Sequence, residues 1–437
     1  MPKNKTETIT ETMVSTTNDS YIRRSTLPYS AGQIFALFAE EQGAVFLDSS
    51  LENNLGQYSI IGLVPYHEVS VENGIFSVDG TTHSGTPAEY LKAYLRRNHR
   101  ENPTDLPLTD GAIGYVTYDY GMKGMGLTSR HEAKIAMADM KWIFYDFFII
   151  EDLKDHSLWF IANGHTEPPQ ELWEKMENLI KEKMAAFTAP ILTDTYPIDI
   201  RPDCTPDEYA RALKKLLDYL IDGHVYVTNF TGTLTVDCPC PPYTFFSRLR
   251  RDNPSPFGAY LQYGSYQIIS ASMERLLHIN GSQIETRPIK GTRRRGKTAA
   301  EDAALRKELS ESQKDRSELL MIVDLERNDL NKICQPGSVS VPDLFAVEEY
   351  ATVFHLIAGV TGTLKPEKTA IDALTALFPG GSITGAPKKR AMEIIDELES
   401  SRRQLYTGTI GYLSLDGNCD LNIVIRTAVH QGDSYHI

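Results

Sequence analysis

Lys290 lies in the run Thr-Arg-Pro-Ile-Lys-Gly-Thr and could serve as an amine nucleophile. The proline two residues earlier restricts the backbone, and Gly291 allows the chain to approach a ligand closely. An amine attacks carbon only in its neutral form. Nearby positive charge would disfavour the ammonium ion, and four arginines lie close in sequence: Arg287, Arg293, Arg294 and Arg295. From spacing alone, a catalytic amine and a lysine in a solvated basic loop both remain open.

Two carboxylates are candidates for acid–base and metal chemistry. Glu274 follows a predicted strand in the run Ser-Met-Glu-Arg, where a carboxyl group with a raised pKa could protonate a leaving hydroxyl. The alternative is an exposed glutamate paired with Arg275. Glu318 lies on a helix predicted from about residue 310 to 326, with apolar residues at i+3, i+4 and i+7 on the same face. A carboxylate on that face needs a partner, either a magnesium ion or a basic side chain.

Three further features could bind an anion or a ring. Arg426 ends a run in which apolar residues recur at 421, 423 and 425, so a strand is predicted with Arg426 on its other face. The segment 380–387 (GGSITGAP) precedes a predicted helix, with Thr384 in the cap region, and free N–H groups at a helix start attract anions. A tight turn that only caps the helix is the alternative. His355 lies between Phe354 and Leu356, a setting typical of a core histidine.

The elements that must position these residues follow from turn signals and apolar periodicity. Residues 45–152 favour strands and turns, with one helix near Pro87–Arg97. Further helices are predicted at 168–187 and 206–223, separated by a linker at 190–202. Strands are predicted at 224–236, 257–272 and 276–286, the last as a hairpin that turns at Asn280-Gly281. Strand-rich halves with helices between them indicate α+β layers and not alternating βαβ units.

Composition excludes several classes of protein. The 437-residue chain carries a net charge of −14, which argues against a nucleic-acid-binding surface. No run of 18 apolar residues exists, so no membrane span is expected. The first 20 residues are polar and lack the apolar core of a secretory signal, so we interpret them as a disordered leader. Five cysteines without a CxxC pair are typical of reduced thiols in a cytoplasmic protein.

Several long runs resemble the chorismate-utilising enzymes, and among them the aminating subunits of the aminodeoxychorismate synthase type. These runs are SASMERLL, TRPIKGT, DRSELLMIVDLERNDL, FPGGSITGAPKKRAMEIIDELE and TGTIGYLSLDGNCDLNIVIRT. The resemblance is dense from about residue 204 to 437 and looser from about 21 to 160. It implies an α+β fold: a large antiparallel β-sandwich flanked by helices, like that of anthranilate synthase component I. Residues 21–189 would form the N-terminal half of one interwoven domain, and residues 203–437 its chorismate-binding catalytic region.

The resemblance also assigns roles to individual residues. Lys290 would attack carbon 2 of chorismate, Glu274 would protonate the hydroxyl leaving carbon 4, and Glu318 would bind Mg²⁺. Tyr406 and Arg426 would hold a substrate carboxylate. Further substrate contacts are implied for Gly291, Thr292, His355 and Thr384. A second pocket, which binds tryptophan in relatives, would include Ser49, Pro256 and Phe257.

Two positions bear on the choice among relatives. Anthranilate synthases usually have alanine where this chain has Lys290, so the lysine predicts amination at carbon 4, giving 4-amino-4-deoxychorismate for 4-aminobenzoate and folate synthesis. Relatives that add water use a lysine at the position matching Val227, and valine cannot activate water. Ammonia would come from a separate glutamine amidotransferase, since no cysteine here lies in a nucleophile-elbow context.

The chain also departs from the family pattern. Met273 replaces a usual proline, Val227 replaces the glutamine usual in ammonia-using relatives, and relatives continue beyond Ile437 into a segment with a second metal ligand. The alternatives are therefore anthranilate synthase component I or a shortened paralogue that binds chorismate without turnover.

Overall fold

The computed structural model describes residues 20–188 and 195–437. The strands of these residues are β1 (Tyr21–Arg24), β2 (Val45–Asp48), β3 (Tyr58–Glu72), β4 (Ile75–Val78), β5 (Thr81–Thr82), β6 (Gly111–Val116), β7 (Met140–Asp152), β8 (Ser157–Ala162), β9 (Asp199–Pro202), β10 (Val227–Thr228), β11 (Leu234–Asp237), β12 (Phe257–Gln262), β13 (Gln267–Ser272), β14 (Arg275–Asn280), β15 (Gln283–Arg287), β16 (Ile289–Arg294), β17 (Ser340–Glu349), β18 (Val353–Thr363), β19 (Gly385–Ala386), β20 (Thr409–Ser414), β21 (Cys419–Asn422), β22 (Thr427–Gln431) and β23 (Ser434–His436).

The helices of the same residues are α1 (Ala31–Phe35), α2 (Pro87–Arg97), α3 (Tyr118–Gly124), α4 (Pro169–Ala186), α5 (Pro206–Ile221), α6 (Pro242–Asp252), α7 (Ala299–Glu311), α8 (Gln313–Ile333), α9 (Ala370–Leu377) and α10 (Lys388–Leu398). No helix of the described residues is long and apolar enough to cross a membrane.

Two sheet paths diverge from the long strand β7. One path runs β7-β3-β2-β12-β13-β22-β23-β11-β9. Strand β8 also pairs with β7, and β1 pairs with β8. The other runs β7-β6-β20-β21-β14-β15-β18, with β16 and β17 both paired to β18. Each of these pairings is antiparallel, as expected where no βαβ crossover is present. Lys290 lies on β16, at the far end of the second path.

The apolar residues form three layers of core around these sheets. Ile60 and Ile268 of the first path pack with Ile113 and Ile410 of the second, so the two sheets enclose a sandwich core. The outer face of the first path packs on α1, α4 and α6. The outer face of the second path packs on the helices α7 to α10. This arrangement confirms the predicted antiparallel β-sandwich flanked by helices.

Several element predictions are confirmed. Helix α2 has the predicted bounds, with Pro87 at its start and the Thr86 side chain accepting from the N–H of Glu89. Helix α5 begins with a capping box between Thr205 and Glu208. The predicted leader lies outside the described residues, apart from Ser20.

Other element predictions are wrong in detail. Only β10 and β11 form within 224–236, because the backbone between them bonds to loops and side chains, as in Asn229 N–H to Thr384 O (2.9 Å). The last part of the expected linker is strand β9, which pairs with β11, while 189–194 lie outside the described residues. Asn280 pairs with Gln283, so the hairpin loop is Gly281-Ser282, with glycine first as in a type II′ turn.

Candidate active site

Strand β16 carries Lys290 next to a bulge. Lys290 pairs with Leu356 of β18 and Thr292 with the adjacent His355, so Gly291 is an extra residue between them. Gly291 has φ +81°, and a Cβ there would lie 2.8 Å from Cβ of Asp315 on α8. A bulge with glycine in the left-handed region redirects the neighbouring side chains. The close approach that Gly291 permits is therefore an approach of the β16 backbone to the side chain of Asp315.

The amine of Lys290 is half-buried and held by a neighbouring loop. Its Nζ donates to the main-chain oxygen of Ser382 at 2.6 Å. Its charge acts on the carboxyl group of Glu274 and opposes the rise in the pKa of that group. The amine and the carboxyl group proposed as its acid partner therefore share one site.

The arginines near Lys290 are all paired with carboxylates. Each makes an ion pair of 3.1 Å or less: Arg287 with Glu285 and Glu348, Arg293 with Glu308 and Asp315, Arg294 with Glu301, and Arg295 with Asp302. Paired charges largely cancel at the distance of a third group. The ion pairs therefore reduce the positive charge that these four arginines place near Lys290.

Glu274 is almost fully buried, with 4% of its surface exposed. Its Oε1 accepts from the N–H of Ile289 at 3.1 Å. Burial raises the pKa of this carboxyl group, while the Ser382 hydroxyl, the Ile289 N–H and Lys290 act in the opposite direction. The alternative of an exposed partner for Arg275 is wrong, since Arg275 pairs with Asp420 and Glu285. A buried carboxyl group with a raised pKa is suited to donate a proton.

His355 and Arg426 extend the site on the other side of the bulge. Nδ1 of His355 lies 2.9 Å from Oγ1 of Thr292, and its buried Nε2 has no partner among the described residues. Burial and then the charge of Arg426 lower the pKa of His355 to about 4, so the ring is neutral at physiological pH. The ring of Tyr350 contacts His355 edge-on at 5.3 Å between centroids.

Tyr406 and Arg426 line a common cavity together with Thr231, Arg403 and His436. Arg426 is not on a strand, which corrects the sequence prediction: the ladder breaks between β21 and β22, and Arg426 has φ +49°. The main-chain oxygen of Arg426 instead accepts from Ala271 N–H at 3.1 Å. Burial lowers the pKa of its guanidinium group. A guanidinium group is a favourable partner for a carboxylate.

Each residue of the loop 380–384 is fixed by a hydrogen bond. The Thr384 hydroxyl donates to Gly380 O (2.8 Å), Gly381 N–H to Glu326 Oε1 (2.9 Å), and Lys290 to Ser382 O (2.6 Å). Arg403 donates to Ile383 O at 2.9 Å, and Asn229 N–H donates to Thr384 O at 2.9 Å. Thr384 is not the cap of α10, because Pro387 occupies that position without a side-chain cap. These bonds connect the loop to β16, to α8 and to the segments around Asn229 and Arg403.

Glu318 lies apart from these contacts. Its side chain is 33% exposed and makes an ion pair of 3.9 Å with Lys314. The buried face of α8 instead includes Asp315, Ile322, Glu326 and Asp329, so Glu318 is at its edge and not on an enclosed apolar stripe. Residues 20–188 and 195–437 hold no cluster of three or more potential metal-ligating side chains. A magnesium ion at Glu318 would therefore take its other ligands from substrate and water, which Mg²⁺ accepts.

Three residues of the site were missed from the sequence. Ser382 contributes its carbonyl to Lys290, Tyr350 packs on His355, and Glu326 holds the loop. Glu326 had a usable signal, since it follows Ile322 by four residues and Leu319 by seven, both on the buried face of α8. The partners of Ser382 and Tyr350 are distant in sequence, and no local pattern predicts them.

The second predicted pocket is a separate cavity lined by Ser49, Pro256 and Phe257. Ser49 Oγ donates to Pro256 O at 2.9 Å, and the Arg275 guanidinium lies 5.2 Å from the centre of the Phe257 ring. The structure thus places Ser49, Pro256 and Phe257 around one cavity.

Comparison with known proteins identifies the family of this chain. A model of chorismate binding enzymes matches residues 48–437. The chain belongs to the chorismate-binding enzyme family. Component 1 of aminodeoxychorismate synthase from Bacillus subtilis (strain 168) is 36% identical over 385 residues, which cover 86% of this chain and 82% of that protein. Component 1 of anthranilate synthase from Lactococcus lactis subsp. lactis (strain IL1403) is 35% identical over 394 residues, covering 88% and 86%.

Solved structures agree with this assignment. Anthranilate synthase component I from Streptococcus pneumoniae TIGR4 superposes with a TM-score of 0.78 at 32% identity, covering 89% of this chain and 87% of that one. This member of the chorismate-binding enzyme family is therefore an enzyme of the aminodeoxychorismate synthase and anthranilate synthase component I type. Relatives with either name are similarly close, so the choice between the two reactions depends on individual residues.

Proposed function

We propose that this enzyme aminates chorismate at carbon 4, giving 4-amino-4-deoxychorismate through a covalent adduct on Lys290. The observation that carries the proposal is the position of the Lys290 amine. It is half-buried, fixed by Ser382 O at 2.6 Å, and beside the buried carboxyl group of Glu274. An amine nucleophile next to a general acid suits displacement of a hydroxyl group.

In the first step, the neutral Lys290 nitrogen bonds to carbon 2 of chorismate. The ring double bonds shift, and the bond from carbon 4 to its hydroxyl oxygen breaks with the electron pair on oxygen. Glu274 gives its proton to that oxygen, so water leaves. The adduct nitrogen then loses a proton, which restores the acid form of Glu274.

In the second step, ammonia bonds to carbon 4 and the double bonds shift back. The bond between carbon 2 and the Lys290 nitrogen breaks, and that nitrogen takes a proton from the newly added ammonium group. Lysine and acid are thus returned to their starting states. The loop 380–384 keeps the Lys290 amine in place through both steps.

The remaining predicted residues would bind the substrate. Arg426 and Tyr406 line one cavity and suit a carboxylate of chorismate. Thr292 contacts His355 beside the bulge at Gly291, and the charge of Arg426 acts on the His355 ring. The neutral ring of His355 can accept or donate a hydrogen bond to the substrate without adding charge. Thr384 would act indirectly, since its hydroxyl donates to Gly380 O within the loop 380–384. Mg²⁺ bound at Glu318 would neutralise a substrate carboxylate.

Val227 supports ammonia over water as the second nucleophile. It lies on β10, directly opposite Ala386 in the segment that follows the loop 380–384. An apolar side chain cannot take a proton from water, whereas ammonia needs no such activation. We further propose that ammonia arrives from a glutamine amidotransferase subunit, in line with the designation of the relatives as component 1.

We also propose that the cavity lined by Ser49, Pro256 and Phe257 is the counterpart of the tryptophan pocket. Isothermal titration with tryptophan tests this separately from catalysis. Binding that is lost in Ser49→Trp supports the assignment, and absence of binding contradicts it.

Product identification tests the proposed reaction. We expect chorismate, Mg²⁺ and ammonium to yield 4-amino-4-deoxychorismate, detected by mass spectrometry and by conversion to 4-aminobenzoate with an added lyase. In Lys290→Ala this product should fall by about 100-fold or more, because the covalent route is lost. Anthranilate from the unmodified enzyme would contradict the proposal and favour anthranilate synthase.

A further inference from the structure

Glu326 is a buried carboxylate that the chemistry above does not use. It lies on α8 with 2% of its surface exposed. Its Oε1 accepts from the N–H of Gly381 at 2.9 Å, and its Oε2 is buried without a partner among the described residues. Burying a carboxylate with one oxygen unpaired is costly, so its presence requires a reason.

The contact with Gly381 is unusually close. A Cβ on Gly381 would lie 2.8 Å from Glu326 Oε1 and 2.7 Å from Cδ2 of Leu325. The loop backbone is therefore packed directly against α8 at this point. The next residue, Ser382, is the one whose carbonyl oxygen holds the Lys290 amine.

Charged groups from several elements surround Glu326. Lys388 of α10 pairs with Asp329 of α8 at 2.7 Å, and Glu274 acts on Glu326 from the sheet side. Burial raises the pKa of Glu326 to about 7, with Lys388 acting against this and Asp329 and Glu274 in the same direction. Lys388 is already bound to Asp329, so it is not a dedicated partner for Glu326.

We infer that Glu326 is a positioning residue for the Lys290 amine, acting through the hydrogen bond to Gly381 and the carbonyl of Ser382. It does not touch the reacting atoms. Its acceptor oxygen fixes the loop 380–384 on α8, and the loop fixes the amine. The inference depends on the proposed role of Lys290, but not on which product is formed.

The test compares Glu326→Ala with Glu326→Gln. Glutamine keeps an acceptor for the Gly381 N–H and removes the charge, whereas alanine removes the acceptor. Consumption of chorismate with Mg²⁺ and ammonium should show kcat reduced by about 10- to 100-fold in Glu326→Ala, with KM changed less than about threefold, because small misplacement of a reacting group is costly. Glu326→Gln should stay within about threefold of the unmodified enzyme. Asp324→Asn, which removes an exposed carboxylate from the same helix, is the matched control.

A second readout does not depend on turnover. Lysines are labelled with an acylating reagent, and the labelled peptides are quantified by mass spectrometry. We expect the labelling rate of Lys290 to change by about threefold or more in Glu326→Ala and to stay unchanged in Glu326→Gln, in step with kcat. Lys314, whose side chain is 83% exposed, serves as the internal reference. If alanine prevents folding, Glu326→Leu keeps the volume while removing the acceptor.

The outcomes separate the two proposals. Formation of anthranilate overturns the proposed reaction, while kcat and labelling still decide the role of Glu326. If the unmodified enzyme consumes no chorismate, Lys290 labelling alone decides it. Unchanged labelling in Glu326→Ala, or equal damage by alanine and glutamine, overturns the positioning role.

Discussion

The carboxyl group of Glu274 illustrates how a single side chain acquires its chemistry from burial. Its surface is 4% exposed, and its carboxyl group receives a hydrogen bond from the main-chain N–H of Ile289. Burial disfavours the charged form more than the Ser382 hydroxyl, the Ile289 N–H and Lys290 favour it, so its pKa is raised. The group therefore keeps its proton at a pH where an exposed glutamate has lost it.

The raised pKa of Glu274 predicts how the reaction rate depends on pH. In the proposed reaction the proton-donating form of Glu274 is the active one, so kcat should fall as pH rises through its raised pKa, and the fall should begin above the usual range of glutamate. The measurement is kcat for chorismate consumption across pH 5 to 9. Glu274→Gln should reduce kcat by about 100-fold or more and abolish this alkaline fall. A profile that keeps the same fall in Glu274→Gln would show that another group controls it.

Individual residues were predicted from the sequence where their chemistry is local. Lys290 and Glu274 were predicted by type and by the runs around them, and in the structure the charge of Lys290 acts on the Glu274 carboxyl group. The holding contact of Lys290 was not predictable, because Ser382 is 92 residues away in sequence. The ion-pair partner of the neighbouring Arg287 was unpredictable for the same reason, since Glu348 lies on β17, 61 residues away.

Elements were predictable where the signal is short-range. Caps and apolar periodicity predicted α2, α4 and α5 within a few residues. The strand expected through Arg426 failed because tertiary contacts decide strand ends: Ile423 N–H bonds to Glu274 O and not to a neighbouring strand in register. The bulge at Gly291 depends on packing against α8, which no local pattern reveals.

Substitution of Gly291 tests the role of the bulge in β16. Gly291→Ala would place a methyl group 2.8 Å from Cβ of Asp315 in a left-handed conformation, φ +81°. We expect a loss of about 1 to 3 kcal/mol in the free energy of unfolding. Since β16 must move to relieve the contact, kcat should fall by about 100-fold. Denaturant unfolding and chorismate consumption measure the two effects.

Gly281→Ala is the matched control for this substitution. Gly281 also has positive φ (+59°), but a Cβ there meets nothing within 4 Å. Its substitution should cost stability by the conformational effect alone and leave kcat unchanged. Equal loss of kcat in both variants would mean that the bulge has no special role in placing Lys290.

The whole molecule connects its N-terminal and C-terminal residues through shared sheets. Strand β2 pairs with β12, and β6 pairs with β20, so each sheet path contains strands from both halves of the chain. The sandwich core mixes residues from both halves in the same way, since Ile113 and Ile410 belong to the same buried cluster. Removal of either half would therefore leave β2 or β12, and β6 or β20, without one of its sheet neighbours.

This interleaving predicts one cooperative unfolding transition for residues 21–189 and 203–437. The three tryptophans (Trp142, Trp159 and Trp173) all lie in the first half, so their fluorescence reports on that half alone. Leu421→Ala creates a cavity in β21 of the second half, where Leu421 is fully buried, and should cost about 2 to 5 kcal/mol. We expect its denaturation midpoint to shift equally by tryptophan fluorescence and by far-UV circular dichroism, because one transition governs both probes. If the fluorescence midpoint stays at its original value while the dichroism midpoint moves, the two halves unfold independently. That result would contradict a single cooperative domain.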